Sequence, residues 1–386
     1  MDINIKIPDD VLYIIDILEN NNFEAYAVGG CVRDSLSGKE PHDWDICTSA
    51  LPEQTMKCFE SHHIIETGLK HGTVTLMLNH EPFEITTYRV DGKYKDNRRP
   101  ENVKFVSVLK RDLARRDFTV NAMAYNPKTG LIDYYGGRQD LTERKIKCVG
   151  NADKRFNEDA LRIMRALRFA SVFGFSIEAG TSESMRKNKK LLHNIAAERI
   201  AVEFNKLILG DGANDILSKH QEIITEIIPE LIFSADINAA PKDLVIRLAL
   251  LFDDYEKAKK ALSRLKYDND TSRAAAQLVL YYGEEIKPER THIKRWLNKI
   301  GEERFRQLIT IKKPDIEILN LLNEIIEHKQ CFLLKDLAVN GSDLIEEKIA
   351  SGVQIGVVLN KLLDMVINDE AENNKNILLE IARKQI

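Results

Sequence analysis

Two glycines placed directly after a four-residue apolar run constrain this chain more than any other feature. Ala25 to Val28 leads into Gly29-Gly30, and the stretch GGCVRDSLSGKEPHDWD (29–45) closes on Asp43-Trp44-Asp45 before a second short run, Ile46 to Thr48. The pattern reads as strand, glycine turn, short helix, strand. A glycine turn lets backbone N–H groups approach a phosphate with no Cβ in the way. Arg33 adds a permanently charged fork suited to phosphate oxygens. Asp43 and Asp45 are two apart, and on a strand residues i and i+2 point to one face. Taken singly, the glycines would be a tight turn and the aspartates a solvated edge; the combination is far narrower.

Two carboxylates on one face seat Mg²⁺, which takes oxygen ligands and commonly binds one or two carboxylates plus substrate phosphates. A pair of such ions can activate an attacking hydroxyl and hold a pyrophosphate leaving group. GG-x-x-R-D followed by D-x-D resembles the signature of the nucleotidyltransferase superfamily. The branch it resembles holds the class II tRNA CCA-adding enzymes and the bacterial poly(A) polymerases. That resemblance implies an α+β fold: an N-terminal nucleotidyltransferase-type α/β head followed by all-α neck, body and tail domains. The expected divisions are 1–150 for the catalytic head, 151–210 for a base-recognising neck, 211–313 for a helical body and 314–386 for a tRNA-binding tail. Asp43 and Asp45 would be the catalytic, Mg²⁺-holding pair.

Further along the head, Thr73 to Asn79 and Pro82 to Tyr88 are β-rich runs of hairpin length. Glu84, in the second, is either a third carboxylate of the metal site or a strand residue facing water; the second reading is slightly favoured. Arg89 to Glu101, RVDGKYKDNRRPE, is a polar loop without periodicity. In the family resembled, a flexible loop here is implicated in adding the terminal A, which favours full CCA addition over CC-only enzymes. Asp112 to Asn126, DLARRDFTVNAMAYN, resembles the family's next motif. Arg116 is expected to contact the triphosphate together with Gly30 and Arg33, and Asn121 to orient the sugar or brace the turn. The glycine pair in Leu131 to Leu141, LIDYYGGRQDL, is expected to be structural.

Asn157 to Ser171, NEDALRIMRALRFAS, reads as one helix. Asn157 caps it, Glu158 and Asp159 favour its positive end, and Leu161, Ile163, Met164, Leu167 and Ala170 form the buried side. Arg162, Arg165 and Arg168 recur every three residues as a ladder on the opposite side. Asp159 and Arg162, at i and i+3, can meet at their tips. Cytosine and adenine each pair an amino donor with a ring-nitrogen acceptor, so an Asp–Arg pair matches both. Uracil and guanine present the opposite sense, at a cost of roughly 1–3 kcal/mol for each buried mispaired group. The resemblance to the family's E-D-x-x-R element implies that Asp159 and Arg162 read the base, with Arg165 and Arg168 supporting them. Glu198 and Arg199, in AERIAVEFNKLIL, are expected to brace the neck.

From residue 211 onward Leu, Ile, Ala, Lys and Glu recur at helical spacing, punctuated by Pro229, Pro241, Pro288 and Pro314. Trp296 lies in a basic stretch and reads as core. Gly352-Val353 replaces the Gly-Pro usual in the tail segment of the family. The five cysteines never adopt C-x-x-C spacing, which argues for a reducing compartment and against structural zinc. With no secretory leader and no apolar run of membrane length, a cytoplasmic protein is expected. The net charge of −4 does not advertise nucleic acid, yet residues 154–190 carry nine Lys/Arg against four Asp/Glu, enough for a local basic surface. The partners implied are tRNA, CTP and ATP, with no membrane and no protein partner evident. The activity implied is template-independent addition of C, C and A to tRNA. Poly(A) polymerase, CC-only or A-only addition, and an inactive RNA-binding protein remain as alternatives.

Overall fold

The structure of the chain, a computed structural model, describes residues 5–385 except 67, 93, 96–98, 101, 102 and 314. The boundary expected at Pro314 therefore lies outside the described residues. The chain forms two compact units, one of residues 1–247 and 260–267 and one of residues 248–259 and 268–386.

The first unit opens with helix α1 (Asp9–Asn20), which follows Pro8 and packs Val11, Ile14, Ile15 and Leu18 inward. Its sheet has seven strands: β1 (Ala25–Val28), β2 (Ile46–Thr48), β3 (His63–Ile65), β4 (Thr73–Leu78), β5 (Glu81–Thr87), β10 (Met123–Asn126) and β11 (Gly130–Asp133). They lie in the order β11-β10-β1-β2-β5-β4-β3. All neighbours are antiparallel except β2 and β5. Because side chains alternate along a strand, β1 feeds two cores. Ala25 and Ala27 join α1, Ile46 and Ile85 on one face. Tyr26 and Val28 join Cys47, Leu113 and Ala124 on the other. Strand β1 is thus apolar throughout. Asn79 and His80 link β4 to β5 with positive φ at both residues (50° and 68°), the geometry of a two-residue hairpin turn.

Between β1 and β2 lies the short helix α2 (Gly30–Leu36), and α3 (Pro52–Cys58) follows β2. The polar stretch read as a loop is instead a ribbon. Strands β6 (Arg89–Asp91) and β9 (Val103–Phe105) pair antiparallel, and beyond them β7 (Tyr94–Lys95) pairs with β8 (Arg99–Pro100). Outside the described residues lie Lys93, Asp96, Asn97, Arg98, Glu101 and Asn102, so the reading of this segment as the device for adding the terminal A falls partly there. Helices α4 (Leu109–Ala114) and α5 (Gly137–Thr142) and strand β12 (Lys145–Ile146) complete this part. A Cβ on Gly137 would sit 2.2 Å from the Thr119 carbonyl oxygen, so that glycine permits a close packing contact, as expected of the pair.

Helices then take over as α6 (Ala152–Glu158), α7 (Leu161–Phe173), α8 (Ala179–Asn188) and α9 (Ala197–Ile208), with the two-residue strand β13 (Ser176–Ile177) pairing with β12. Among the described residues no strand follows Ile177. In the second unit, Trp296 is buried, stacking on Phe305 (6.0 Å, 16°) and meeting Tyr281 edge-on. The stretch Arg290–Lys312 breaks at Gly301 (φ 79°). Gly352 (φ 57°) caps the helix Val353–Ile367, a backbone conformation that glycine enters without strain. The architecture is a mixed-sheet head with a helical remainder.

Candidate active site

The site begins where β1 ends. Val28 N donates to Asp45 O at 2.9 Å and Gly29 N to Met123 O at 3.0 Å, so both neighbouring strands clamp the turn. Gly29 has φ 85°, and a Cβ there would lie 2.8 Å from Arg116 Nη1. The requirement for glycine therefore falls on Gly29 for two reasons. Gly30, expected at the phosphate, starts α2 and would meet only Arg33 Nη2 at 3.7 Å.

Asp43 and Asp45 lie in the lead-in to β2 and not within it. Trp44, between them, packs against the core, so alternation turns the two carboxylates outward together. Both are exposed, and among the described residues neither carboxylate has an ion pair within 4.0 Å. Desolvation nevertheless pushes the Asp45 carboxyl above its ordinary range, with Arg116 pulling it down and Asp43 pushing it up. The parallel register Ile46↔Ile85 sets Glu84 level with Asp45. Its carboxyl is raised by desolvation, then by the charges of Asp45 and Asp43. Glu84 is thus exposed, as favoured from the sequence, yet shares the field of the pair. No group of three or more His, Cys, Asp or Glu side chains that could hold a metal ion occurs among the described residues. The donors are hard oxygens without counterions on an open edge. They fit a divalent cation that takes its remaining ligands from a substrate.

Arginines cluster beside the glycine turn, and the charge of Arg116 reaches Asp45. Arg116 Nη2 lies 3.6 Å from Asp112 Oδ2, and Arg116 Nη1 donates to the Asn121 carbonyl at 3.5 Å. Arg116 Nε is buried without a hydrogen-bond partner among the described residues. Arg115 bonds the same Asp112, Nε to Oδ1, at 2.9 Å. Arg33 forks onto Asp34 (2.8 and 2.9 Å), donates to Asn121 Oδ1 (2.5 Å) and lies over the Phe173 ring at 4.5 Å. Asn121 therefore joins Arg33 to Arg116. Asp112, fully buried, was not singled out from the sequence; its i, i+3, i+4 spacing to Arg115 and Arg116 was the available signal.

The helix expected from Asn157 to Ser171 is two helices. Asn157 lies inside α6, and Asn151 caps it, its side chain accepting from Lys154 N. Asp159 has extended backbone (φ −138°, ψ 103°) and breaks the run. Asp159 Oδ1 then accepts from Leu161 N at 3.1 Å, at the start of α7. The five predicted apolar positions of α7 are all buried. The arginine ladder is real, but it does not point to water: Arg162 is only 8% exposed. Each rung has an acid. Arg162 Nη1 meets Glu158 Oε2 at 3.2 Å, Arg165 grips Asp117 Oδ2 at 2.9 and 2.6 Å, and Arg168 Nε meets Glu203 Oε2 at 2.9 Å.

Arg162 N donates to the Asp159 carbonyl at 3.1 Å, but among the described residues the two side-chain tips form no ion pair with each other, contrary to the i, i+3 expectation. The break at Asp159 swings its carboxylate to 3.7 Å from Arg199, so Arg199 braces the expected base reader itself. Arg162 Nη2 donates to the Arg115 carbonyl at 2.8 Å. Burial raises the Asp117 carboxyl, but Arg165, the Asn121 amide and Arg162 outweigh it and hold the group at about 2. Phe169, also unforeseen, lies under three guanidinium groups, of Arg168 (3.9 Å), Arg165 (5.2 Å) and Arg33 (5.4 Å), and such contacts fix cation orientation.

Three family models match this chain. "Poly A polymerase head domain" covers residues 25–147, "Probable RNA and SrmB- binding site of polymerase A" residues 174–231, and "tRNA nucleotidyltransferase domain 2 putative" residues 243–382. The chain is 33% identical to the CCA-adding enzyme of Lactobacillus helveticus, covering 97% of each chain. It is also 33% identical to that of Streptococcus mutans, covering 98% of this chain and 97% of the relative. Among solved structures it resembles the Bacillus stearothermophilus CCA-adding enzyme in complex with CTP, with a TM-score of 0.80, 31% identity and 97% of each chain covered. The fold is shared with the Thermotoga maritima CCA-adding enzyme complexed with tRNA (TM-score 0.71, 22% identity, 100% of this chain and 97% of that one). At this identity over nearly its whole length, the chain belongs to the family of CCA-adding enzymes.

Proposed function

We propose that this protein adds C, C and A to the 3′ end of tRNA without a nucleic-acid template, using CTP and ATP and releasing pyrophosphate. The observation that carries the reading is the contrast inside one site. Among the described residues Asp43 and Asp45 have no ion pair within 4.0 Å, yet the charge of Arg116 reaches Asp45, and Arg116 and Arg33 are held in place by Asp112, Asn121 and Asp34. A site with an unneutralised acidic edge and fixed cations suits a nucleoside triphosphate that arrives with Mg²⁺.

Asp43 and Asp45 would hold Mg²⁺, which supplies hydroxyl activation and charge neutralisation at the phosphates. The turn at Gly29-Gly30 admits the triphosphate, and Arg33 and Arg116 bind its oxygens. The tRNA 3′ oxygen attacks the α-phosphorus, the bond to the β-phosphate breaks, and pyrophosphate leaves. The protein contributes chiefly position and fixed charge. Arg162 is anchored by Glu158 and two backbone carbonyls. Of its five N–H donors, some therefore remain for an acceptor on the base. Asp159 lies one turn away as the acceptor for an amino group, with Arg165 and Arg168 stiffening the helix beneath. In this reading residues 1–150 are the catalytic head, 151–210 the neck, 211–313 the body and 314–386 the tail. No helix among the described residues is long and apolar enough to cross a membrane, and a cytoplasmic location goes with a tRNA substrate.

The test uses purified protein, Mg²⁺ and a tRNA transcript lacking its 3′ CCA, with product length read on a gel. Two additions from CTP alone, and a third only when ATP is also present, are expected. A long ladder from ATP alone would mean poly(A) synthesis. CC without A, or A only onto a transcript ending in CC, would mean a divided activity.

A further inference from the structure

A second cationic concavity lies on the first unit, beyond the C-terminal end of α2. Its volume is about 660 Å³, and its lining includes Arg33, Lys39, Arg138, Arg144, Phe173 and Phe175, in the size range of pockets that take ligands of nucleotide dimensions. Among the described residues Asp34 is the only acid in its lining, and Arg33 already neutralises it at 2.8 Å. Lys39, Arg138 and Arg144 are exposed and have no ion pair within 4.0 Å among the described residues. This is unlike other cations of the same unit, such as Lys145, Lys187 and Lys189, which are paired with Glu143, Asp153 and Glu226. Three exposed charges without an ion pair within 4.0 Å among the described residues converge on one hollow, and an anionic ligand relieves their mutual repulsion.

The aromatic floor narrows the ligand. Phe173 stacks on Phe169 (5.4 Å, 15°) and carries Arg33 at 4.5 Å and Lys39 at 5.5 Å, while Arg144 lies 6.0 Å from the Phe175 ring centre. The rings are occupied in supporting cations and leave little face for a nucleobase, so the hollow reads charge and not base identity. Its free cations come from two separate segments, the loop after α2 and the stretch from α5 to β12, which suits phosphates strung along a chain. Arg33 is common to both sites, since it also reaches Asn121 beside Arg116.

We infer that this hollow binds the phosphodiester backbone of the RNA being extended, close to the nucleotide site but outside it. The inference rests on the proposed function for the identity of the RNA. A phosphate-rich ligand has two sources here, RNA backbone or free nucleotide and pyrophosphate, and the experiment separates them.

The experiment measures equilibrium binding of a CCA-less tRNA to the full chain at several salt concentrations without nucleotide, alongside KM for CTP and inhibition by pyrophosphate. Arg138→Glu with Arg144→Glu should weaken tRNA binding about tenfold or more. The slope of log K against log salt should fall by about 1.5–2, as for two lost phosphate contacts. KM for CTP should stay within about twofold, and Arg138→Lys with Arg144→Lys should restore binding, since an ammonium also serves as a point charge for phosphate. Unchanged tRNA affinity and slope would overturn the inference. So would a change confined to CTP or pyrophosphate, which would assign the hollow to free phosphates. If the wild-type chain binds tRNA but extends nothing, the proposed function fails while the binding series still judges the hollow. Lys39→Ala and Arg138→Ala, at exposed positions, serve if the charge reversals fold poorly.

Discussion

The acidic mouth and the arginine ladder are made from the same two charges and use them in opposite ways. Along the ladder every cation has its acid: Arg162 with Glu158, Arg165 with Asp117, Arg168 with Glu203. The Asp117 carboxylate is held ionised to about 2. At the mouth, Asp43, Asp45 and Glu84 stand exposed and crowd one another, so that Asp45 and Glu84 are driven upward by desolvation and like charge. Paired burial makes a rigid support. In the proposed reading, acids on an edge that have no ion pair among the described residues await a cation that the chain does not supply. Stability should therefore depend on the ladder and turnover on the mouth.

The sharpest break of this contrast is Asp45→Ala. Extension of tRNA should fall by about 10³-fold or more, the scale of the several kcal/mol that a bound cation contributes. The thermal midpoint should hold or rise, because Asp43 and Glu84 lose a like charge. A protein that unfolds with the loss would place Asp45 in the structure and not in the chemistry. Asp117→Ala should do the reverse and cost about 3–5 kcal/mol of stability, because Arg165 loses a buried partner; denaturant titration measures it.

A milder version uses pH. The folded value of Asp117 is lowered from the ordinary 3.8 to about 2, so its contribution is complete above about 3.8. It drains away as pH falls through about 2. Acid titration of the wild type against Asp117→Asn should show that difference shrinking between these limits, and a constant difference would refute it. The smallest effect expected is from Glu84→Gln, a rate loss of about tenfold or less. A loss as large as that of Asp45→Ala would make Glu84 an equal member of the acid group.

Much of this was legible in the sequence because it is local. The apolar runs at 25–28 and 46–48, the glycine turn, the outward aspartates around Trp44 and the buried positions of α7 all follow from spacing within one element. The misreadings have physical causes. Asn157, Glu158 and Asp159 carry the residue types of a helix start, yet they close α6, and the better cap signal was Asn151, three residues before Lys154. The partners of the ladder come from remote segments, as with Arg165 and Asp117, 48 residues apart, or Arg162 and the Arg115 carbonyl, 47 apart. No spacing rule reaches that far. The pairing of 89–91 with 103–105 was hidden because the polar stretch between lacks the alternation that marks a half-buried strand.

The central claim is that Asp159 and Arg162 choose the nucleotide while the mouth performs the transfer. The most direct test is single-nucleotide incorporation onto CCA-less tRNA with CTP and with UTP, in the wild type and in Asp159→Ala and Arg162→Ala. Two mispaired groups at roughly 1–3 kcal/mol each imply a preference for CTP on the order of a hundredfold or more in the wild type. Each variant should lose most of that preference while some CTP incorporation survives. Variants that slow CTP and UTP equally, with the ratio intact, would contradict it and make the pair structural.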